Sequence, residues 1–306
     1  MTQNPPAAGA VELVEVSPRD GLQNERRPLD TPDKLELIRR VIARGATRVE
    51  VTGFARPDVV PALADADEVA AAVAGTPGVE CSALVLNVKG YQRARAAGIT
   101  AVNMVVLATE SFSARNQRMT VAEALAAATA IRRLAAADGV RFTLTVGASF
   151  GCPFEGEVPP AALDALLHRV AALAPDEIAL ADTIGVAVPS DVTERFGRLE
   201  RAAPGVPLRA HFHNTRNTAV ANAVAAVQAG VSALDASLAG IGGCPFAPNA
   251  TGNVATEDLV YCFGRMGVPT GFDLSGLIDD GRWLTDRLGV PAQSAVGRAG
   301  GFPQRR

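Results

Sequence analysis

Histidine and cysteine are both scarce: the 306 residues include three histidines and four cysteines. The cysteines, Cys81, Cys152, Cys244 and Cys262, are widely scattered and form no C-x-x-C pair, so neither a zinc cluster nor a disulfide framework is indicated. Aromatic residues make up only 5% of the chain. No stretch approaches the roughly 18 uninterrupted apolar residues of a membrane span, which excludes a membrane protein of the helical kind. A formal net charge of -3 and a pI near 5.7 leave no global positive field for nucleic acid or anionic lipid. An anionic substrate must therefore be held by local arginines. The opening MTQNPPAAGA lacks both a basic start and an apolar core, so no signal peptide is expected and a cytoplasmic location is.

What is present is a large apolar complement, 48% hydrophobic against 20% charged, dominated by alanine, valine and leucine. That suits a helix-rich α/β protein with branched strands. Residues 1–10 read as a disordered lead. A buried strand at 11–16 follows, then a loop broken by Pro18 and Gly21, then a helix opened by Thr31 and Pro32 and stopped at Gly45. The unit repeats, with strands predicted at 48–54, 80–85, 101–108, 141–149, 177–182, 207–213 and 233–238. A helix follows each. The segment 109–119 is longer than a bare connection needs, which favours function there.

Eight alternating strand-helix pairs predict an α/β fold, a closed (β/α)8 TIM barrel with a short C-terminal helical extension around Trp283. An open doubly wound sheet is the rival, but no G-x-G-x-x-G follows the first strand. The expected organisation is one barrel domain over 11–290 with a tail at 291–306. Such barrels carry their chemistry at the C-terminal ends of the strands. The polar residues that stand out fall there: Arg19 and Asp20, Glu50, Asp182, His211 and His213, and the loop holding Cys244.

In a strand, alternate side chains share a face, so the imidazoles of His211 and His213 converge. Two imidazoles and a carboxylate make a mixed nitrogen and oxygen site of the kind that takes magnesium, manganese or zinc. Asp20 is the best carboxylate candidate, although it would equally cap the turn before Gly21. Asn253 could offer an amide oxygen or serve as a turn residue.

VEVSPRDGLQNE (14–25), RVEVTGF (48–54), ADTIGV (181–186), HFHNT (211–215) and SLAGIGGCPFAPNATGNVATEDLVY (237–261) together resemble the hydroxymethylglutaryl-CoA lyase family, over about 11–290. The resemblance implies metal-dependent retro-Claisen cleavage of 3-hydroxy-3-methylglutaryl-CoA to acetoacetate and acetyl-CoA, in leucine degradation or ketone-body formation. It implies that Asp20, His211, His213 and Asn253 bind a divalent cation, Mg2+ or Mn2+. Asp20 or His211 is then the base, Arg19 the partner of the enolate, Cys244 the reactive thiol, and Glu50 a support for Arg19 or a ligand. Gln23, Asn116 and Glu257 are candidate polar contacts, and Lys89, Arg115 and Arg118 candidate partners of CoA phosphates. A homo-oligomer is compatible with these features.

The chain departs from the better-known members, which have HCHDT for HFHNT and commonly a serine where Gly53 stands. These changes spare the ligands and bear on the acyl pocket. A lyase for a related 3-hydroxyacyl-CoA such as citramalyl-CoA is therefore the nearest rival. A Claisen-condensing acyltransferase would need a further C-terminal region, and a non-catalytic metal-binding scaffold would not need this full set of residues.

Overall fold

In a computed structural model, the described residues are 9–243 and 252–303. Eight parallel strands, β1 (Glu12–Glu15), β2 (Arg48–Gly53), β3 (Glu80–Leu84), β4 (Ala101–Leu107), β5 (Arg141–Gly147), β6 (Glu177–Asp182), β7 (Leu208–Phe212) and β8 (Ala233–Ala236), form a closed barrel in sequence order. Closure is made by β1 on β8, with Glu12 opposite Ala233 and Glu15 opposite Ala236. The predicted (β/α)8 barrel is therefore the observed one.

The helices lie outside: α1 (Thr31–Ala43), α2 (Ala66–Val73), α3 (Val88–Ala96), α4 (Glu110–Asn116), α5 (Val121–Asp138), α6 (Pro160–Ala171), α7 (Pro189–Ala202), α8 (Ala219–Gln228) and α9 (Thr256–Arg265). Strand residues such as Val49, Val51, Val102, Leu144, Ile178 and Leu180 turn outward into one apolar layer shared with these helices. Each large aliphatic buried there contributes about 1.5–3 kcal/mol.

The barrel interior is polar instead. Arg48 reaches across from β2 to make two 2.8 Å bonds to Glu177 on β6, and a further 2.9 Å bond to Glu80. Burial alone would raise the Glu177 carboxyl, but the Arg48 guanidinium wins and holds it down near 2. Above this layer lie Glu50, Asn103, Thr145, Arg209 and Asp235, all buried. The outward faces carry most of the apolar strand pattern and the inward faces most of the charges, while Val14, Val16 and Ala233 form a small apolar cluster of their own.

Some local expectations change. Asp30, not Thr31, caps α1 by accepting from the backbone of Asp33 at 2.9 Å. The segment 109–119 is not an open loop, because α4 occupies much of it and Glu110 accepts from the backbone of Val121 at 3.0 Å. The extension holds α10 (Leu274–Leu288), which carries Trp283, and α11 (Ala295–Ala299). Within the expected tail, Ser294, Ala295 and Val296 are tied to the Asp258 carboxylate of α9 at 2.7–3.1 Å. Among the described residues no helix is long and apolar enough to cross a membrane.

Candidate active site

At the end of β1, Arg19, Asp20 and Gly21 all donate their backbone N–H to the Val16 carbonyl, winding residues 17–21 into a tight π-type turn. Turns of this type are rare and frequent at functional sites. This one swings Arg19 and Asp20 over the barrel mouth. The backbone of Asp20 and Gly21 then packs on Gly242, where a Cβ would come within 2.8 Å of the Asp20 carbonyl and 2.6 Å of Asn253 Nδ2. With φ at +103, that position suits glycine on two counts.

His211 and Asp20 meet at the centre of the mouth. The Nε2 atoms of His211 and of His213 each lie 4.0 Å from Asp20 Oδ2, and the three groups offer ligand atoms all within 4.8 Å of one another. Three such donors converging on one point would hold a small cation between them. Asn253 adjoins them: its Nδ2 donates to Asp20 Oδ2 at 2.8 Å and to the Ile241 carbonyl at 3.1 Å. Its Oδ1 is buried and has no hydrogen-bond partner among the described residues. A carboxylate, two imidazoles and an orphaned amide oxygen fit a divalent cation.

The electrostatics favour charged ligands. Burial alone would raise the Asp20 carboxyl, but Arg19, His211 and His213 together hold it far below the usual carboxylate range. Arg19 donates Nε to Glu50 and Nη1 to Asp20 at 2.5 Å. These two carboxylates outweigh burial, so the guanidinium stays charged. Glu50, from β2, thus supports Arg19 rather than a ligand. His211 Nδ1 lies 2.9 Å from Asp235 Oδ2, which fixes the ring and leaves Nε2 to face Asp20. Asp235 belongs to no motif that the sequence displays.

The cavity bordered by Arg19, Asp20 and the histidines runs down to Asn103 and Thr145, with Leu107 and Phe112 as an apolar side. Thr145 donates to Asn103 at 2.8 Å, and Asn103 to Glu50 at 3.0 Å. Gln23 and Asn116 line the cavity as expected, whereas Glu257 does not, being turned to the backbone N–H of Ala239 at 3.0 Å. Asp182 is also outside it: both of its oxygens accept from the backbone of Val186 and Ala187 at 2.9 Å, tying down the loop after β6. Arg115 is stacked 4.3 Å over the Phe154 ring, and Arg118 and Lys89 are exposed.

The departures from the family pattern fall elsewhere than expected. Phe212 points out of the barrel, its ring 6.0 Å from that of Phe150. Asn214 accepts from the backbone of Ala219 at 3.2 Å and so caps α8. Neither lines the cavity. Gly53 does touch the site, since a Cβ there would lie 3.6 Å from Arg19 Cγ. Cys244 lies outside the described residues, directly after Gly243, which lines the cavity and accepts from Asn24 at 3.0 Å.

A parallel barrel whose mouth joins a two-histidine, one-carboxylate donor set to a buried guanidinium defines a barrel enzyme with a candidate metal site. The HMGL-like family model matches residues 10–282, and the chain belongs to that family of lyases. It is 43% identical to (R)-citramalyl-CoA lyase of Chloroflexus aurantiacus, with 96% of each chain covered. It is 39% identical to hydroxymethylglutaryl-CoA lyase of Pseudomonas mevalonii, covering 95% of this chain and 96% of the relative. Among solved structures it is similar to a hydroxymethylglutaryl-CoA lyase of Acinetobacter baumannii in complex with coenzyme A and 3-methylmalate, at 36% identity and TM-score 0.93, covering 100% of this chain and 99% of the other. Lyases of this family are metal-dependent and act on CoA thioesters, and the donor set fits the first of these.

Proposed function

We propose that the chain cleaves 3-hydroxy-3-methylglutaryl-CoA to acetoacetate and acetyl-CoA with Mg2+ or Mn2+, Asp20, His211, His213 and Asn253 holding the cation. The observation that carries this reading is the adjacency of two functions: the donor set meets the Arg19 guanidinium through Asp20, so a hydroxyl and a thioester carbonyl can be gripped side by side. When bound, the cation would lower the pKa of the substrate hydroxyl and orient the bond to be broken. Asp20 or His211 takes the hydroxyl proton. The electron pair of the C2–C3 bond then moves onto the thioester as an enolate, which the fixed charge of Arg19 stabilises. Cys244 returns a proton to C2 and completes acetyl-CoA.

Among the described residues lining the cavity, Arg19 is the one fixed cation. The substrate's one free carboxylate would then meet the bound cation rather than a second arginine. The 43% identity to an (R)-citramalyl-CoA lyase favours a second reading, in which the same cleavage gives pyruvate in place of acetoacetate. Product analysis separates them: acetoacetate from 3-hydroxy-3-methylglutaryl-CoA at the higher kcat/KM supports the first reading. Pyruvate from citramalyl-CoA at the higher kcat/KM replaces it with the second. Service in leucine degradation or ketone-body formation belongs to the first reading alone.

A further inference from the structure

We propose that Arg209 is a positioning residue for the reaction, holding from inside the barrel the carboxylate that fixes His211 and lending its charge to the one that receives Arg19. It sits two residues before His211 on β7, faces the same way, and is 1% exposed. Its Nε and Nη2 both reach Asp235 Oδ1, while the other oxygen of that carboxylate fixes the His211 ring at 2.9 Å. The same Nη2 lies 4.0 Å from Glu50 Oε2, and Glu50 is the carboxylate that receives Arg19 Nε. One guanidinium therefore stands behind both halves of the site, the ligand half through Asp235 and the enolate half through Glu50. It does not itself line the cavity.

Its third neighbour, Glu177, lies 3.7 Å from Nη1 and belongs to the layer below. That layer does not depend on Arg209. Glu177 takes two 2.8 Å bonds from Arg48, one of 3.1 Å from Arg141 and one of 3.1 Å from Thr143. Removing Arg209 thus leaves the lower layer partnered and strips Asp235 of its main counter-charge. Loss of an outer partner of this kind typically weakens metal affinity or activity by about 10–100-fold. The guanidinium bonds Asp235 through Nε while its Nη2 stands 4.0 Å from Glu50, a placement that a lysine ammonium would not reproduce.

The test uses Arg209→Gln and Arg209→Lys in the full chain, with Arg141→Gln as a comparator that touches Glu177 from the barrel rim. Free Mn2+ is counted by electron paramagnetic resonance to give the affinity, and kcat and KM are measured separately on the thioester. The expected result for Arg209→Gln is Mn2+ affinity weaker by about tenfold or more and kcat lower by about 10–100-fold, with KM within about threefold of wild type. Arg209→Lys is expected between the two, and Arg141→Gln at wild-type Mn2+ affinity. Wild-type Mn2+ affinity and kcat in either Arg209 variant overturn the inference, and so does an equal loss in Arg141→Gln. Arg209→Lys keeps the charge and decides the matter where the glutamine variant does not fold. The turnover readout rests on the proposed function, but Mn2+ binding needs no thioester. A failed substrate assignment with a weakened Mn2+ site therefore leaves the inference standing.

Discussion

Arg19 and Asp20 are neighbours in sequence with opposite tasks, and what separates those tasks is the partner each finds. Asp20 faces two imidazoles and Arg19 faces Glu50, so one turn delivers a ligand and a cationic clamp together. Arg19→Lys should lower kcat by about 10³-fold, as loss of an oxyanion partner does. A near-wild-type rate for that variant would remove Arg19 from the chemistry. At Cys244, alkylation by iodoacetamide is expected to inactivate, with substrate protecting. Unchanged sensitivity in Cys244→Ser would remove the thiol from the account. The residues with chemistry written in a motif, R-D-G and H-x-H, were legible in the sequence. Asp235 and Arg209 were not, because a single charge in a short apolar strand looks the same whether it faces the barrel or the solvent. The signal was there in the period of two that places Arg209 on the face of His211 and His213. Phe212 and Asn214 misled for the complementary reason, since adjacency in sequence to a ligand says nothing about the side on which a side chain falls.

The connection from β8 to α9 is the element that brings Gly242, Gly243 and Asn253 to the site. Its start is held by Glu257 of α9, whose two oxygens both accept from the backbone of Ala239 at 3.0 Å, a residue with φ at +59. Its end is close-packed, for a Cβ on Gly252 would lie 1.8 Å from the Gly240 carbonyl. Burial pushes the Glu257 carboxyl up to about 8 from an ordinary 4.5. The fold therefore favours its protonated form. Stability from this group is fully present below the unfolded value near 4.5, and is lost as pH rises through that value toward about 8. Glu257→Gln mimics the protonated form. Relative to wild type, its Tm should gain steadily as pH rises from about 5 to about 8. A difference in Tm independent of pH would contradict the assignment. Strand and helix positions followed from periodicity, but the helix inside 109–119 did not, because seven residues of mixed polarity carry too little period to reveal it.

Taken as a whole, the barrel reverses the usual distribution in which branched side chains fill the interior. Here the apolar layer lies between strands and helices, and the interior is a stack of ion pairs from Arg48 and Glu177 below to Arg19 and Asp20 above. Buried ion pairs are costly to create and costly to break singly, so they fix geometry more than they add stability. The eight-fold alternation of strand and helix was readable from composition and turn signals alone. The polar interior was not, since it depends on charges brought together from strands far apart in sequence.

Thioester cleavage is proposed to depend on a cation held by Asp20, His211 and His213. The direct measurement is acetyl-CoA release from 3-hydroxy-3-methylglutaryl-CoA and citramalyl-CoA by protein treated with EDTA, and again after Mg2+ or Mn2+ is restored. Release is expected from at least one thioester, with loss in EDTA and recovery with the cation in wild type but not in His213→Ala. Release undiminished in metal-free protein, or recovery as complete in His213→Ala as in wild type, would contradict it.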